Sequence, residues 1–440
     1  MRRVLLLFVL ILSFVAAIFP QQETFVIKPK PDQETVLALT GFQMGDGNQD
    51  SMIDVYLETL NGVLKSDLEN SGFFRLLSPS FFPQKGIKVP QQLDFTEWRD
   101  LNLKIDYIIF GNSKIINNNL IVECWVFDIK TGDKVLGKRY KTMPRYVRKV
   151  AHRISDAIVS ILTANQSFGV ASTQIVFERK SEVGKELYVM DYDGENVHKL
   201  TSNSNINLTP EWSPDNSEIC FTSYIDKFPG IFFLNVLDGT IDKLNVMGDF
   251  LTTPTFSPDG KRIAFSGRLK GSDNPDIYIC DLDGKNLVNI TQNSGIDISP
   301  TFSPSGNQIC FVSDRGGSPS LFITDIYGAA PEKIIDEGGY MSSPDWSPDG
   351  RFIAFSWRPR GENHFDIYIV EVATKRVFQL TKGQGDNENP SWSPDGRLIV
   401  FESNRDGSFD IFRMFADGTN VVKLTSFGGC HNPSWSNYNK

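Results

Sequence analysis

The chain has 440 residues, of which 40% are hydrophobic and 22% charged, so it is long enough for two globular domains. Its formal net charge of −9 argues against a nucleic acid or an anionic membrane as a partner reached by bulk electrostatics. Protein partners are expected instead.

At the start, Arg2-Arg3 precedes sixteen uncharged residues, Val4 to Phe19, and Val15-Ala-Ala17 has the small-residue spacing of a cleavage site. Residues 1–19 are therefore read as a signal peptide, since the run is short for crossing a bilayer, and no membrane span is expected after cleavage. Residues 20–35 are polar and proline-bearing and are expected to be mobile. Within them Glu23-Thr24-Phe25-Val26-Ile27 has strand composition with no partner nearby, the kind of segment that adds to the sheet edge of another protein.

Residues 36–165 alternate strands and helices. Val36–Leu39 reads as a strand, and Ser51–Asn70 as a helix ended by Ser71-Gly72. Phe74–Leu77 is a strand, Trp98–Leu103 a short helix and Tyr107–Phe110 a buried strand. Leu120–Val126 and Lys134–Tyr140 pair about Lys130-Thr-Gly-Asp133, and Val147–Leu162 is an amphipathic helix. This predicts a compact α/β domain.

From 171 to 440 the chain repeats. Pro-x-Trp/Phe-Ser-Pro-Asp-Gly begins at Pro210, Pro254, Pro300, Pro344 and Pro390, with Asn216 in place of the glycine in the first and Ser305 in place of the aspartate in the third, and a worn copy follows at Pro433; the prolines lie 43 to 46 residues apart. That is the period of a four-stranded propeller blade. In each copy the Ser-Pro-Asp-Gly turn leads into a β-branched strand, a third strand alternates, and a short fourth closes the unit. The first unit, from Ile175, lacks its Pro-x-Trp strand, whereas Pro433-Ser-Trp435 has that strand and nothing after it. A six-bladed propeller closed by pairing its two ends is predicted.

The residue before each repeat proline is small and polar: Thr209, Thr253, Ser299, Ser343, Asn389 and Asn432. Propeller geometry puts these six at one mouth of the channel, beside residues that differ among blades, including Thr252, Ile298 and His431. Small polar residues before proline also suit turns without any ligand. The recurring aromatic, Trp212, Phe256, Phe302, Trp346, Trp392 and Trp435, reads as packing between blades. Ser313-Asp-Arg315 and Ser403-Asn-Arg405 are expected to brace loops.

No catalytic chemistry is visible. The chain has no Gly-x-Ser-x-Gly elbow and no phosphate-binding glycine pattern, and its four histidines form no metal motif and read as surface or strand positions. Asp191-Tyr-Asp-Gly194 and Asp281-Leu-Asp-Gly284 read as hairpin turns rather than calcium loops. The five cysteines read as small core residues, with no structural disulfide. No metal or cofactor is expected.

The helix Ser51–Asn70 followed by Ser71-Gly-Phe-Phe-Arg-Leu-Leu77, the segments Asp106–Gly111, Ala151–Asp156 and Glu186–Gly194, and the Ser-Pro-Asp-Gly repeats together resemble the TolB family over nearly the whole chain. The resemblance implies a monomeric, non-enzymatic periplasmic protein of the Tol-Pal system, supporting outer-membrane integrity and constriction at division. It implies the lipoprotein Pal at the channel mouth, TolA at Glu23 to Ile27, and contact with other outer-membrane proteins. The alternative is a secreted propeller that binds or processes peptides or glycans in its channel.

Overall fold

The computed structural model describes residues 35–438 apart from 49, 102 and 270. The expected signal peptide, residues 20–34 of the segment expected to be mobile, and the candidate TolA-binding residues lie outside the described residues. No helix among the described residues is long and apolar enough to cross a membrane.

The N-terminal domain is one five-stranded sheet. Its strands are β1 (Thr35–Met44), β2 (Phe74–Leu76), β3 (Tyr107–Ile116), β4 (Asn119–Asp128) and β5 (Lys134–Thr142), in the order β2-β1-β3-β4-β5. β1 pairs with β2 and β3 in parallel, and β3-β4-β5 form an antiparallel meander. Helices α1 (Ile53–Asn70) and α3 (Val147–Leu162) bury Leu57, Leu60, Leu64, Val150, Ile154 and Ile158 on one sheet face. The segment carrying α2 (Phe95–Arg99) covers the other with Trp98 and Ile105.

Three elements differ from the sequence expectation. Strand β1 runs on to Met44 because Gly41, at φ 83°, absorbs a bulge and Asn61 of α1 clamps the next residue through Phe42 N–H (2.7 Å). Strand β3 extends to Ile116 because Asn117 and Asn118 both take positive φ and close a tight hairpin into β4. Helix α2 begins at Phe95, where Asp94 caps Thr96 N–H at 2.9 Å, and it ends at Arg99, so it starts three residues earlier than expected and covers only the first two residues of the expected helix.

The rest of the described chain forms six four-stranded sheets around an axis. The innermost strands are Cys430–Trp435 in blade one, then Asn207–Trp212, Phe250–Phe256, Asp297–Phe302, Gly339–Trp346 and Asn387–Trp392 in blades two to six. Blade one joins the two ends of the array: Trp435 pairs with Ile175 and His431 with Glu178. Trp435 Nε1–H donates to Thr173 Oγ1 at 2.8 Å, so the closing strand is held by side chains as well as its ladder. All five cysteines are buried and free.

Every inner strand carries the same bulge. Its small polar residue and the following proline together oppose one phenylalanine of the second strand, in turn Phe177, Phe221, Phe265, Phe311, Phe355 and Phe401, each fully buried. The proline cannot donate to the ladder, and a bulge is where a strand tolerates that. Burying such a ring contributes about 1.5–3 kcal/mol.

The N-terminal domain docks on blades one and six, at the end of the ring where the Ser-Pro-Asp-Gly and Asp-Gly turns project. Arg397 of blade six donates to Ser71 O at 2.6 Å and lies 3.4 Å above the Phe73 ring. Arg148 of α3 pairs with Asp193 of blade one at 2.5 Å.

Candidate functional site: the propeller channel

The six residues before the repeat prolines are brought together as expected. Thr209, Thr253, Ser299, Ser343, Asn389 and Asn432 all line one cavity of about 390 Å³ on the propeller axis. All six take left-handed backbone, with φ from 47° to 55°, which side-chain-bearing residues adopt rarely and β-branched threonine least readily. Such a conformation costs of order 1–3 kcal/mol and persists only where its surroundings hold it.

What holds it is a circuit of hydrogen bonds from blade to blade. The ring residue's N–H donates to a second-strand side chain of the preceding blade: Thr209 to Glu178 Oε1 (2.6 Å), Thr253 to Thr222 Oγ1 (3.1 Å), Ser299 to Ser266 Oγ (3.1 Å), Asn389 to Ser356 Oγ (2.9 Å) and Asn432 to Glu402 Oε2 (2.5 Å). One step breaks the pattern. Before Ser343 the acceptor position holds Val312, and the Ser343 hydroxyl turns to Asn389 Oδ1 instead. Asn432 Nδ2 also reaches Glu178 Oε1 at 2.7 Å, so this buried carboxylate joins blades one and two.

Thr252, Ile298 and His431 do not line the cavity. They are half-buried, each one residue before its ring residue on the inner strand. His431 Nδ1 lies 3.2 Å from Glu402 Oε1, and nearby Glu388 has its carboxyl raised to about 7 by burial and by the charge of Glu402. This mouth is acidic on the side of blades six and one.

Two lining residues escaped the sequence reading. The position between the repeat proline and the aromatic is Glu211, Thr255, Thr301, Asp345, Ser391 and Ser434, and all but the buried Thr255 line the channel. Burial raises Glu211 to about 8, helped by Asp345, and raises Asp345 to about 7 against the donors Trp392 N–H, Trp346 N–H and Ser391. Glu211 accepts from Thr255 Oγ1 (2.9 Å) and Phe256 N–H (3.1 Å), and Asp345 from Trp392 N–H (2.7 Å), so each carboxyl also ties its blade to the next. No lysine, arginine or histidine lines this cavity. The signal available in sequence was two acids at one repeat position, three repeats apart.

The other expected roles fall as follows. The recurring aromatics are buried between blades. Arg315 donates to Asp297 Oδ2 and Arg405 to Asn387 Oδ1, both at 2.7 Å, so these arginines tie second strands to the starts of inner strands.

His152 departs from its expected place. It is 2% exposed on α3, between the domains, with Nδ1 at 2.8 Å from Asp67 Oδ2, while Tyr192 O–H donates to Asp67 Oδ1 at 2.8 Å. Burial pulls the His152 pKa down, but the hydrogen bond and charge of Asp67, with Asp193 and Asp191, raise it above its ordinary value overall. Asp67, His152 and Asp193 bring ligand atoms within 4.8 Å of one another. Asp67 is occupied by His152 and Tyr192 and Asp193 by Arg148, with buried Arg413 over Tyr192, so the cluster balances its charge as an interdomain ion network.

A closed six-bladed propeller with a polar axial channel, carrying a mixed α/β domain, defines a two-domain propeller protein without a visible catalytic constellation among the described residues. The family model of the TolB amino-terminal domain matches residues 25–135, and that of the TolB beta propeller domain matches 160–366 and 336–440. The chain belongs to the TolB family.

A TolB homologue from Chlorobium chlorochromatii is 32% identical over 300 residues, covering 67% of this chain and 64% of that protein. The Tol-Pal system protein TolB of Anaeromyxobacter dehalogenans is 31% identical over 309 residues, 68% of this chain and 67% of its own. Among solved structures, TolB from Acinetobacter baumannii superposes with a TM-score of 0.76 at 27% identity, covering 93% of this chain and 98% of that one.

Proposed function

We propose that this protein is a periplasmic, non-enzymatic scaffold of the Tol-Pal system that binds the lipoprotein Pal at the ringed mouth of the channel and TolA through Glu23 to Ile27. One observation carries the reading. The ring of Thr209, Thr253, Ser299, Ser343, Asn389 and Asn432 brings one small polar residue from each of the six blades onto the wall of a single axial channel, where one partner can contact all six blades at once. The ring is held in strained backbone by inter-blade bonds, which keeps its hydroxyls and amides in fixed positions for a partner. Thr252, Ile298 and His431 then form the outer rim and supply specificity.

This role supports outer-membrane integrity and constriction during division by letting one protein exchange between two partners. The family membership and the named Tol-Pal relative support it. The test is recovery of partners from the envelope of the source organism with the immobilised mature protein. Co-purification of a peptidoglycan-associated lipoprotein is expected, and its absence under conditions that retain other envelope proteins would overturn the reading.

A further inference from the structure

In a chain of net charge −9, residues 134–153 contain eight lysines and arginines and no aspartate or glutamate. The fold gathers much of this charge around one cleft. Strand β5 is the free edge of the N-terminal sheet among the described residues, and α3 packs across the same sheet. Between them lies a cleft of about 270 Å³, lined by Tyr140, Lys141, Thr142, Tyr146, Lys149, Val150 and Arg153. Lys138, Lys141, Arg145, Lys149 and Arg153 are all exposed, and none forms an ion pair with a described residue. Their neighbours Arg139 and Arg148 are the ones that do, with Glu123 and Asp193.

Charge on an edge strand discourages pairing with stray strands, and that accounts for Lys138 and Lys141. It does not account for α3. Lys149 and Arg153 are four apart on that helix and Arg145 stands one turn before, so like charges stack along one line and weaken the helix by a few tenths of a kcal/mol per pair. Arg145 and Lys149 also lie 4.8 and 5.7 Å from the Tyr146 ring centroid, which holds them at the rim.

We infer that this cleft is a docking site for an acidic segment of a protein partner, added as an extended strand to the edge of β5. The free edge offers a nine-residue row of backbone groups, and the basic line on α3 selects the charge of what pairs there. Exposed Met143 and Tyr146 offer apolar contacts to alternate side chains. A bilayer fits less well, because the charges surround a concavity rather than a convex face. This site is separate from the channel, and its test is independent of the Pal assignment.

The experiment titrates the whole mature protein against a fluorescent peptide of alternating glutamate and valine, with a lysine-valine peptide as control. Saturable binding of the acidic peptide, weakened by salt and about tenfold or more by Lys149→Glu with Arg153→Glu, is expected. Hydrogen exchange is expected to show new protection at residues 134–142, a result that mere charge attraction does not give. Both substituted side chains are exposed, and unchanged circular dichroism confirms the fold of the variant. No saturable binding, equal binding by the variant, or no new protection at β5 overturns the inference. Sedimentation with phosphatidylglycerol vesicles without peptide binding overturns it in favour of a membrane surface.

Discussion

Glu211 and Asp345 hold the same place in two repeats that stand three blades apart, so their carboxyls enter the channel from opposite walls with no basic side chain between them. Both lie well above the ordinary carboxylate range, Glu211 at about 8 and Asp345 at about 7, with burial the main cause. The folded channel favours their protonated forms. The stability this confers is complete below their unfolded pKa values, near 4, and is lost as pH rises through about 7 to 8.

The first prediction concerns that pH window. Thermal unfolding of the wild type is expected to weaken between pH 5 and 9 by on the order of 2 kcal/mol more than unfolding of the Glu211→Gln, Asp345→Asn double variant. Scanning fluorimetry at matched ionic strength reads it. Parallel curves for the two proteins would show that the carboxyls stay hydrated and independent.

The hydrogen-bond circuit gives a second prediction, because it has one gap. Thr222→Val removes the acceptor of Thr253 N–H and is expected to cost about 1–3 kcal/mol. At the gap, Val312→Thr places a hydroxyl beside Ser343 and is expected to cost nothing or to stabilise by up to about 1 kcal/mol. Denaturant midpoints distinguish the two. Equal losses would mean that side-chain shape rather than the circuit decides.

Third, the domains are locked by Arg397. Its guanidinium bonds Ser71 O and covers Phe73, so Arg397→Ala is expected to cost about 2–4 kcal/mol of docking and to split a single unfolding transition into two. Calorimetry would show the split. A single transition with unchanged midpoint would remove Arg397 from the interface account.

A fourth prediction follows from His152. Its pKa is raised in the fold, so its contribution to docking is complete below the unfolded value and fades as pH rises through the folded one. Asp156, pushed up to about 6 by burial against the Ser172 and Ala171 donors, acts in the same direction. Docking is therefore expected to loosen toward alkaline pH. Asp67→Asn should flatten the His152 part of this dependence, while destabilising by about 2–3 kcal/mol at pH 6. Proteolysis at residues 163–172 across pH reports it.

Much of this architecture is legible from the chain. A period near 44 residues, turn chemistry fixed by Ser-Pro-Asp-Gly, and a first unit lacking the one strand that the last unit supplies determine the number of blades and the closure. The ring of small polar residues is legible for the same reason, since one repeat position maps to one height on the axis. What is not legible arises from contacts between repeats. The left-handed backbone at Thr253 is set by Thr222 in the neighbouring blade, and nothing in Leu251-Thr-Thr-Pro254 announces it. The interface escapes for a related reason. Asp67 and His152 lie far apart in sequence and meet only where α1 packs on α3, and the docking of the two domains then adds Tyr192.

The measurement that bears most directly on the central claim is calorimetric titration of the mature protein with the periplasmic domain of Pal from the same organism, repeated with Thr253→Trp and Ser299→Trp. Both side chains line the cavity, so an indole there fills the space a partner would enter. Saturable binding by the wild type and its loss in the folded variants is the predicted result. Binding that survives both substitutions would contradict the ring as the site, and absence of binding by the wild type would contradict the partner.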